Sequence, residues 1–392
     1  MSSSKYKRKI CFVTGSRSEY GLLKNLINSL GKEKKVLTKL IVPGSHLLKQ
    51  YGKTINEILR DRNKIFKEIK ISSKNNHPKD IAKSTSKIIN GLSNVFKNYQ
   101  PDLLVILGDR YEIFITCYVA TIFKIPIAHI CGGEETLSSY DNQFRHAITK
   151  MSHIHFTTHT TYKKKILAMG ENKKNIFNFG SLAFTDFEKR KFKNKSELET
   201  KYNIKFREEN FLITIHPETI DNKKLKVNLK KILKSFENKE FKEYSFIFTS
   251  SNNDEGGEII NKEIRKHVRN KENSYFVNSF GQSDYFSMLK NISGVIGNSS
   301  SGITEAPSFK IGTINLGNRQ FGRIFTRSVI NCDFKTKKIK KNILKIIKKK
   351  FKLKLKNLTN PYYKINTLEN MTKVLINIKL KNILFKSFEG HK

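Results

Sequence analysis

Short apolar runs alternate with longer helix-patterned segments almost from the start of this chain, and that rhythm constrains its fold more than any other feature. KICFVTG, LTKLIVPG, DLLVILGD, IPIAHICGG, HIHFTT and NIFNFGS are strand-length runs, each bounded by Gly, Asp, Pro or Ser. The pieces between them, such as LLKNLINSLG and IFITCYVATIFK, carry helical patterns. Strands joined through helices run parallel, so residues 1–183 are expected to form a parallel sheet covered by helices on both faces.

A charged stretch poor in apolar residues, TDFEKRKFKNKSELETKYNIKFREEN, follows. The rhythm then restarts with FLITIHPE, YSFIFTSS, SYFVNSF, SGVIGNSS and GTINLGN. A linker around 184–200 is the expected boundary, with a second α/β domain over 184–365. LENMTKVLINIKLKNILFKSF reads as a final amphipathic helix, and 366–392 is expected to pack back across the domains. At 392 residues the chain is long enough for two ordinary cores. Two α/β domains facing one another leave a central cleft, and ligands of open parallel sheets sit beyond the carboxyl ends of the strands.

Composition narrows the partners. Seventy-five Lys and Arg against 34 Asp and Glu give a net charge of +41, which on its face suggests nucleic acid or an anionic surface. The lysines, however, are scattered through every polar segment, which argues against a dedicated nucleic-acid function. The densest run, KTKKIKKNILKIIKKKFKLKLK at 335–356, fits a solvated amphipathic helix, with weak anionic-surface contact as the alternative. Cys11, Cys117, Cys131 and Cys332 show neither paired spacing nor C-x-x-C, against both a disulfide framework and a zinc site. The basic MSSSKYKRK precedes only the short run ICFVTG, and no stretch of about 18 apolar residues occurs. A soluble, cytoplasmic protein without membrane insertion is expected.

The residues with chemistry fall where this architecture puts ligands. GDRYE follows DLLVIL, which sets Asp109 at a strand end with Arg110 beside it; a plain Gly-Asp turn is the alternative. The next strand runs into HICGGEETLSSYDNQFRH, where Glu134, Glu135 and Asp141 gather near Arg145 and His146. Crowded carboxylates raise one another's pKa, which suits general acid–base work. His216, in ITIHPE, would face that cluster from the second domain, or is a structural histidine. GNSSSG at 297–302 precedes a helix expected near ITEA, so N–H groups and hydroxyls would surround a phosphate or diphosphate; an ordinary Ser/Gly cap is the alternative. Glu305 is placed to accept from ribose hydroxyls, and Arg17 and Arg319 to pair with anionic oxygens; solvated surface arginines are the alternative. The chain has no G-x-G-x-x-G and no metal-ligand spacing, so neither a nicotinamide nor a metal cofactor is expected.

GSRSEYGLL, LGDRYEIF, GGE-x₆-D-x₃-RHAITKMSH, HPET, SNNDEGG, GNSSSGITEAPSFK and LGNRQFGR, in this order between about residues 8 and 330, resemble the hydrolysing UDP-N-acetylglucosamine 2-epimerases of bacterial sialic acid and related nonulosonic acid synthesis. The resemblance implies two Rossmann-like domains of the GT-B type and a homo-oligomer, dimer or tetramer. It implies that Asp109 and Asp141 move protons at the sugar C2, with His216 as the cleft histidine. Ser299, Ser300 and Ser301 would hold the diphosphate with Arg17 and Arg319. Arg110 would contact the substrate, Glu305 would hold the ribose and Asn252 would line the nucleotide. Several members have Glu directly before the Gly-Gly pair, where this chain has Cys131; that acid's role is absent here or taken by Glu134, and the identity of the base stays open.

The implied reaction is anti elimination of UDP from UDP-N-acetylglucosamine through a 2-acetamidoglucal, then hydration to N-acetylmannosamine. UDP-N,N′-diacetylbacillosamine, which differs at C4 and C6, would undergo the same reaction and is the nearest rival substrate. A non-hydrolysing epimerase would carry E-A-G-L-R where this chain has CGGEE. A GT-B glycosyltransferase would transfer to an acceptor, and a basic nucleic-acid or surface-binding protein would associate with steep salt dependence.

Overall fold

The computed structural model describes residues 7–48, 54–61, 63–71, 77–218, 224–252 and 254–387. The first six residues of the basic N-terminus, Thr219 of HPET, Asn253 of SNNDEGG, and Phe388 with the residues after it lie outside the described residues. The chain divides into two compact units, one of residues 1–134, 141–185 and 363–392, the other of residues 135–140 and 186–362.

In the first unit the strands are β1 (Arg8–Val13), β2 (Val36–Pro43), β3 (Ile65–Ile69), β4 (Leu103–Leu107), β5 (Ile127–Ile130), β6 (Ile154–Thr157) and β7 (Ile176–Asn178). They form a parallel sheet in the order β3-β2-β1-β4-β5-β6-β7. β4 is buried at every position because helices cover both faces. Alternate side chains enter separate cores: Ile10, Phe12, Leu103 and Val105 on one face, Cys11, Val13, Leu104 and Ile106 on the other.

The second unit holds β8 (Glu209–Thr214), β9 (Tyr244–Thr249), β10 (Ser274–Val277), β11 (Gly294–Gly297), β12 (Gly312–Leu316) and β13 (Val329–Cys332), parallel in the order β10-β9-β8-β11-β12-β13. Its core joins Phe211, Ile213, Phe246 and Phe248 to Ile339, Ile343 and Ile346. Those three isoleucines form the inner stripe of the lysine-rich run, which makes two helices, Thr336–Ile347 and Lys349–Leu355, separated at Lys348 by extended backbone.

The structure adds to the sequence pattern in several places. β3 and β13 are edge strands, only partly buried, and so lack a continuous apolar signature. The stretch expected as a linker contains the helix Lys195–Tyr202, closed by reciprocal hydrogen bonds between Asn194 and Glu197. Its Phe187 and Phe192 pack edge-on with Phe286 and Phe309 at ring separations of 5.5–6.0 Å. Charged neighbours mask these partly buried aromatics in the sequence.

The C-terminal helix runs Thr367–Asn377, shorter than its pattern. Arg8 donates to the carbonyls of Leu375 (2.7 Å) and Ile378 (2.8 Å), capturing acceptors at its end. Met371 and Leu375 are fully buried in the first unit. Conversely, residues 135–140 belong to the second unit, where Leu137 N donates to Phe321 O at 3.1 Å. No helix among the described residues is long and apolar enough to cross a membrane.

In each sheet the strand order reverses once, between β1 and β4 and between β8 and β11. Loops leaving adjacent strands diverge there, and the gap beyond their carboxyl ends is where this architecture receives ligands.

Candidate functional site

At the reversal of the first sheet, β1 is followed by Gly15, Ser16 and Arg17, and β4 by Gly108, Asp109 and Arg110. Ser16 caps the helix Arg17–Gly31: its Oγ accepts from Glu19 N, while Glu19 Oε2 accepts from Gly15 N (2.7 Å) and Ser16 N (3.2 Å). This is the S-x-x-E capping box, and it draws the Glu19 carboxyl into the base of the turn. Gly108 turns with φ +87°, and its carbonyl accepts from His129 Nε2 at 2.8 Å.

Asp109 then pairs with Arg145, a guanidinium only 3% exposed. Arg145 also donates to Glu134 O at 2.8 Å and Asn142 Oδ1 at 3.3 Å. Asp141 opens the same helix, Asp141–Met151, four residues before Arg145 and therefore on the same face. Glu134 is buried, and its Oε1 accepts from Thr158 Oγ1 at 2.6 Å. Arg110 Nε donates to Glu112 Oε2 at 3.2 Å, and Glu112 is 1% exposed.

Arg145 thus ties Asp109 to the Glu134 backbone, Asp141 lies one turn before it on the same helix, and Arg110, next to Asp109 in the chain, turns to Glu112. Arg17 pairs with Glu57 at 2.6 Å, both partly exposed, a contact worth at most about 1 kcal/mol. Glu19 and Glu112 escaped sequence reasoning. Ser16 and Glu19 have legible capping spacing, but their convergence on Asp109 comes only from the fold. Burial pushes the Glu19 carboxyl up to about 8; Arg110 opposes that rise, while Glu112 and Asp109 add to it. Burial also holds His129 down to about 3, so it is a neutral support for the Gly108 turn.

The second reversal is built around one asparagine. Gly297 has φ +136°, and a Cβ there would lie 1.9 Å from Thr214 O, so glycine alone lets the end of β11 close on β8. Asn298 N donates to Thr214 O at 3.1 Å. Its side chain donates to His216 O (2.8 Å) and accepts from His216 N (2.7 Å). Its carbonyl accepts from Arg319 Nη1 at 3.3 Å and Gln320 Nε2 at 2.7 Å. Glu218 Oε1 fixes the neighbouring loop by accepting from Asn318 N (2.7 Å) and Arg319 N (3.1 Å).

Asn252 N donates to His216 Nδ1 at 3.0 Å, and the Asn252 amide bonds Asp254, which lies 3.7 Å from Arg319 Nη2. A backbone N–H can only donate, so Nδ1 accepts and the neutral ring carries its proton on Nε2. Burial holds His216 down to about 3, with Arg319 acting in the same direction and Asp254 opposing.

Ser299 Oγ lies 3.1 Å from Ser301 Oγ, which accepts from Tyr285 Oη at 2.6 Å. The helix expected near ITEA starts at Ser301, immediately after Ser300, and lasts one turn, Ser301–Thr304, before a 3₁₀ turn over Ala306–Phe309. Glu305 stands between the two; burial pushes its carboxyl up to about 7 against the pull of Arg190. His216, Asn252 and Arg319 therefore share one cluster around Asn298, and the three serines follow Asn298 along the chain. Its organiser, Asn298, lies inside the serine motif, and the motif does not disclose it because its side-chain partner, His216, is 82 residues away in sequence.

The second unit offers hydroxyls, an Nε2–H and a guanidinium, a donor set suited to anionic oxygens; the first offers a carboxylate, Asp109, paired with a buried guanidinium. A family model of UDP-N-acetylglucosamine 2-epimerase matches residues 28–376. The chain belongs to the UDP-N-acetylglucosamine 2-epimerase family.

Within this 2-epimerase family, the GDP/UDP-N,N′-diacetylbacillosamine 2-epimerase (hydrolyzing) of Campylobacter jejuni is 40% identical over 328 residues, covering 83% of this chain and 85% of its own. Polysialic acid biosynthesis protein P7 of Escherichia coli is 37% identical over 385 residues, 97% of each chain. The crystal structure of UDP-GlcNAc 2-epimerase from Neisseria meningitidis bound to UDP-GlcNAc matches with a TM-score of 0.79 at 19% identity, covering 94% of this chain and 99% of that one. At that identity the likeness speaks to fold, and the fold is the expected pair of parallel-sheet α/β domains of the GT-B type. The family read from the motifs is the family found.

Proposed function

We propose that this 2-epimerase is hydrolysing, converting UDP-N-acetylglucosamine and water to N-acetylmannosamine and UDP for sialic acid synthesis. What supports the reading is the loop after β11, at a strand-order reversal: Asn298 holds His216 and Arg319, and Ser299 and Ser301 follow it with their hydroxyls 3.1 Å apart, groups that would donate to a departing diphosphate. Ser300 belongs to the same cradle, Glu305 accepts from the ribose, and Asn252 lines the nucleotide. Arg17 and Arg110 bind remaining oxygens of the UDP-sugar.

The C2 proton of a 2-acetamido sugar is weakly acidic, so its removal is coupled to loss of a good leaving group. A carboxylate takes the C2 proton, the C2–H electrons form the C1–C2 double bond, and the C1–O electrons leave with UDP. Water then adds hydroxide at C1 while C2 receives a proton on the opposite face, giving the free epimerised sugar. Asp109, Asp141 and Glu134 are the acids and bases of these steps. Donors that bind the diphosphate more strongly as its charge grows lower the barrier rather than merely tightening substrate binding. A cytoplasmic homo-oligomer, dimer or tetramer, belongs to the same reading; sedimentation velocity reads its state.

A second substrate has a specific observation behind it. The C. jejuni relative, at 40% identity, is named for N,N′-diacetylbacillosamine. The E. coli relative, named for polysialic acid, aligns over 97% of the chain and supports the first. Proton NMR in deuterated water with each UDP-sugar separates them: free 2-epimerised sugar with deuterium at C2 identifies the substrate. Accumulation of an epimerised UDP-sugar would instead establish a non-hydrolysing reaction, and release of UDP only with an acceptor a glycosyltransferase.

A further inference from the structure

Glu19 is a buried carboxyl that the proposed reaction does not use. Its Oε2 accepts from Gly15 N and Ser16 N, while Oε1 is buried without a hydrogen-bond partner. Gly108, the residue before Asp109, lies against that unpartnered oxygen; a Cβ on Gly108 would sit 3.9 Å from it. Glu19 therefore lies at the join between the turn after β1 and the turn that carries Asp109 and Arg110.

We propose that Glu19 is a positioning residue, packing these two turns together so that Arg110 stays on Glu112 and Asp109 stays on Arg145. The proposal deepens the epimerase reading and rests on it. Asp109 with Arg145, and Glu112 with Arg110, are two carboxylates matched by two guanidiniums. A charge on Glu19 would leave the group with an unmatched negative charge, competing with Glu112 for Arg110 and repelling Asp109. His46, near the same turns through its bond to Thr14, supplies no compensating charge, because burial holds it down to about 4. Burial pushes Glu19 up to about 8 against the pull of Arg110 and the Gly15 N–H, with Glu112 and Asp109 adding to the rise, so its ionisation falls just above neutrality. The turn geometry, and with it turnover, is lost on the alkaline side.

Glu19→Gln tests this, because glutamine also fits the third helical position of the capping box while lacking the titration. For the wild type, kcat/KM for UDP release falls by about tenfold between about pH 7 and pH 9, as a single proton loss near pH 8 requires. For Glu19→Gln the profile loses that limb, whatever its absolute rate; an unchanged limb overturns the proposal. In parallel, amide resonances of Gly108, Asp109 and Arg110 shift with a midpoint near pH 8 in the wild type and stay still in the variant. Static wild-type amides overturn the proposal even if the variant does not fold. If these amides titrate but no UDP is released from either sugar at any pH, the epimerase reading fails and the positioning of the turn by Glu19 stands.

Discussion

Asp109 and Glu305 are both carboxylates at strand-order reversals, and their surroundings give them opposite properties. Asp109 is matched to a buried guanidinium. Asp109→Asn removes the charge while the donors around Asn298 remain, so turnover falls at least about a hundredfold and UDP affinity is retained. UDP release and calorimetric titration with UDP measure the two effects; lost UDP affinity would make Asp109 a nucleotide contact. Glu305 has burial raising it to about 7 from an ordinary 4.5. Its proton-linked stability is fully present below about pH 4.5 and lost as pH rises through about 7, because the folded state holds a proton that the unfolded state releases. Glu305→Gln has no such proton, so its stability relative to wild type should rise between those values by no more than about 3 kcal/mol. Urea unfolding at both ends of the window reads the difference. At this scale the motifs place Asp109, His216 and the serines at or just beyond strand ends. Glu19, Glu112 and Asn298 stayed hidden because their roles depend on contacts between segments remote in sequence.

Elements were legible in proportion to how fully they are buried. The inner strands announce themselves as unbroken apolar runs, whereas β3 and β13, at the sheet edges, mix exposed and buried positions. The helix Lys195–Tyr202 escaped for a related reason: Leu198 is its only buried residue, so no apolar stripe marks it. Gly297 shows the reverse case, a single residue on which an element's end depends. Gly297→Ala places a methyl group into Thr214 O and imposes an unfavourable backbone angle. Stability should drop by on the order of 3 kcal/mol or more, with loss of UDP binding as Asn298 leaves His216 and Arg319. Urea denaturation and UDP titration test both; a variant as stable as wild type would show that β11 ends by some other packing.

The whole molecule joins segments that the chain keeps apart. Residues 363–392 complete the first unit: Met371 and Leu375 fill its core, Ser29 and Thr372 hydroxyls meet at 3.1 Å, and Lys386 reaches Ser152 O (2.6 Å) and Glu171 (2.7 Å). Truncation after Tyr362 should therefore strip hydrogen-exchange protection from Arg8–Val13 and Arg17–Gly31 while β8 and β11 keep theirs. Equal loss in both sheets would contradict the assignment of the tail to the first unit. The sequence alone determined two α/β units, the strand-end positions of the serine and aspartate motifs, and the family, because periodicity and motif spacing are local properties of a chain. Only the tertiary structure decided that the C-terminal tail joins the first unit, that residues 135–140 join the second, that Arg145 meets Asp109, and that burial raises the Glu19 and Glu305 carboxyls. Burial and Coulomb energy depend on neighbours brought from anywhere along the chain, and no local pattern encodes which neighbours those are.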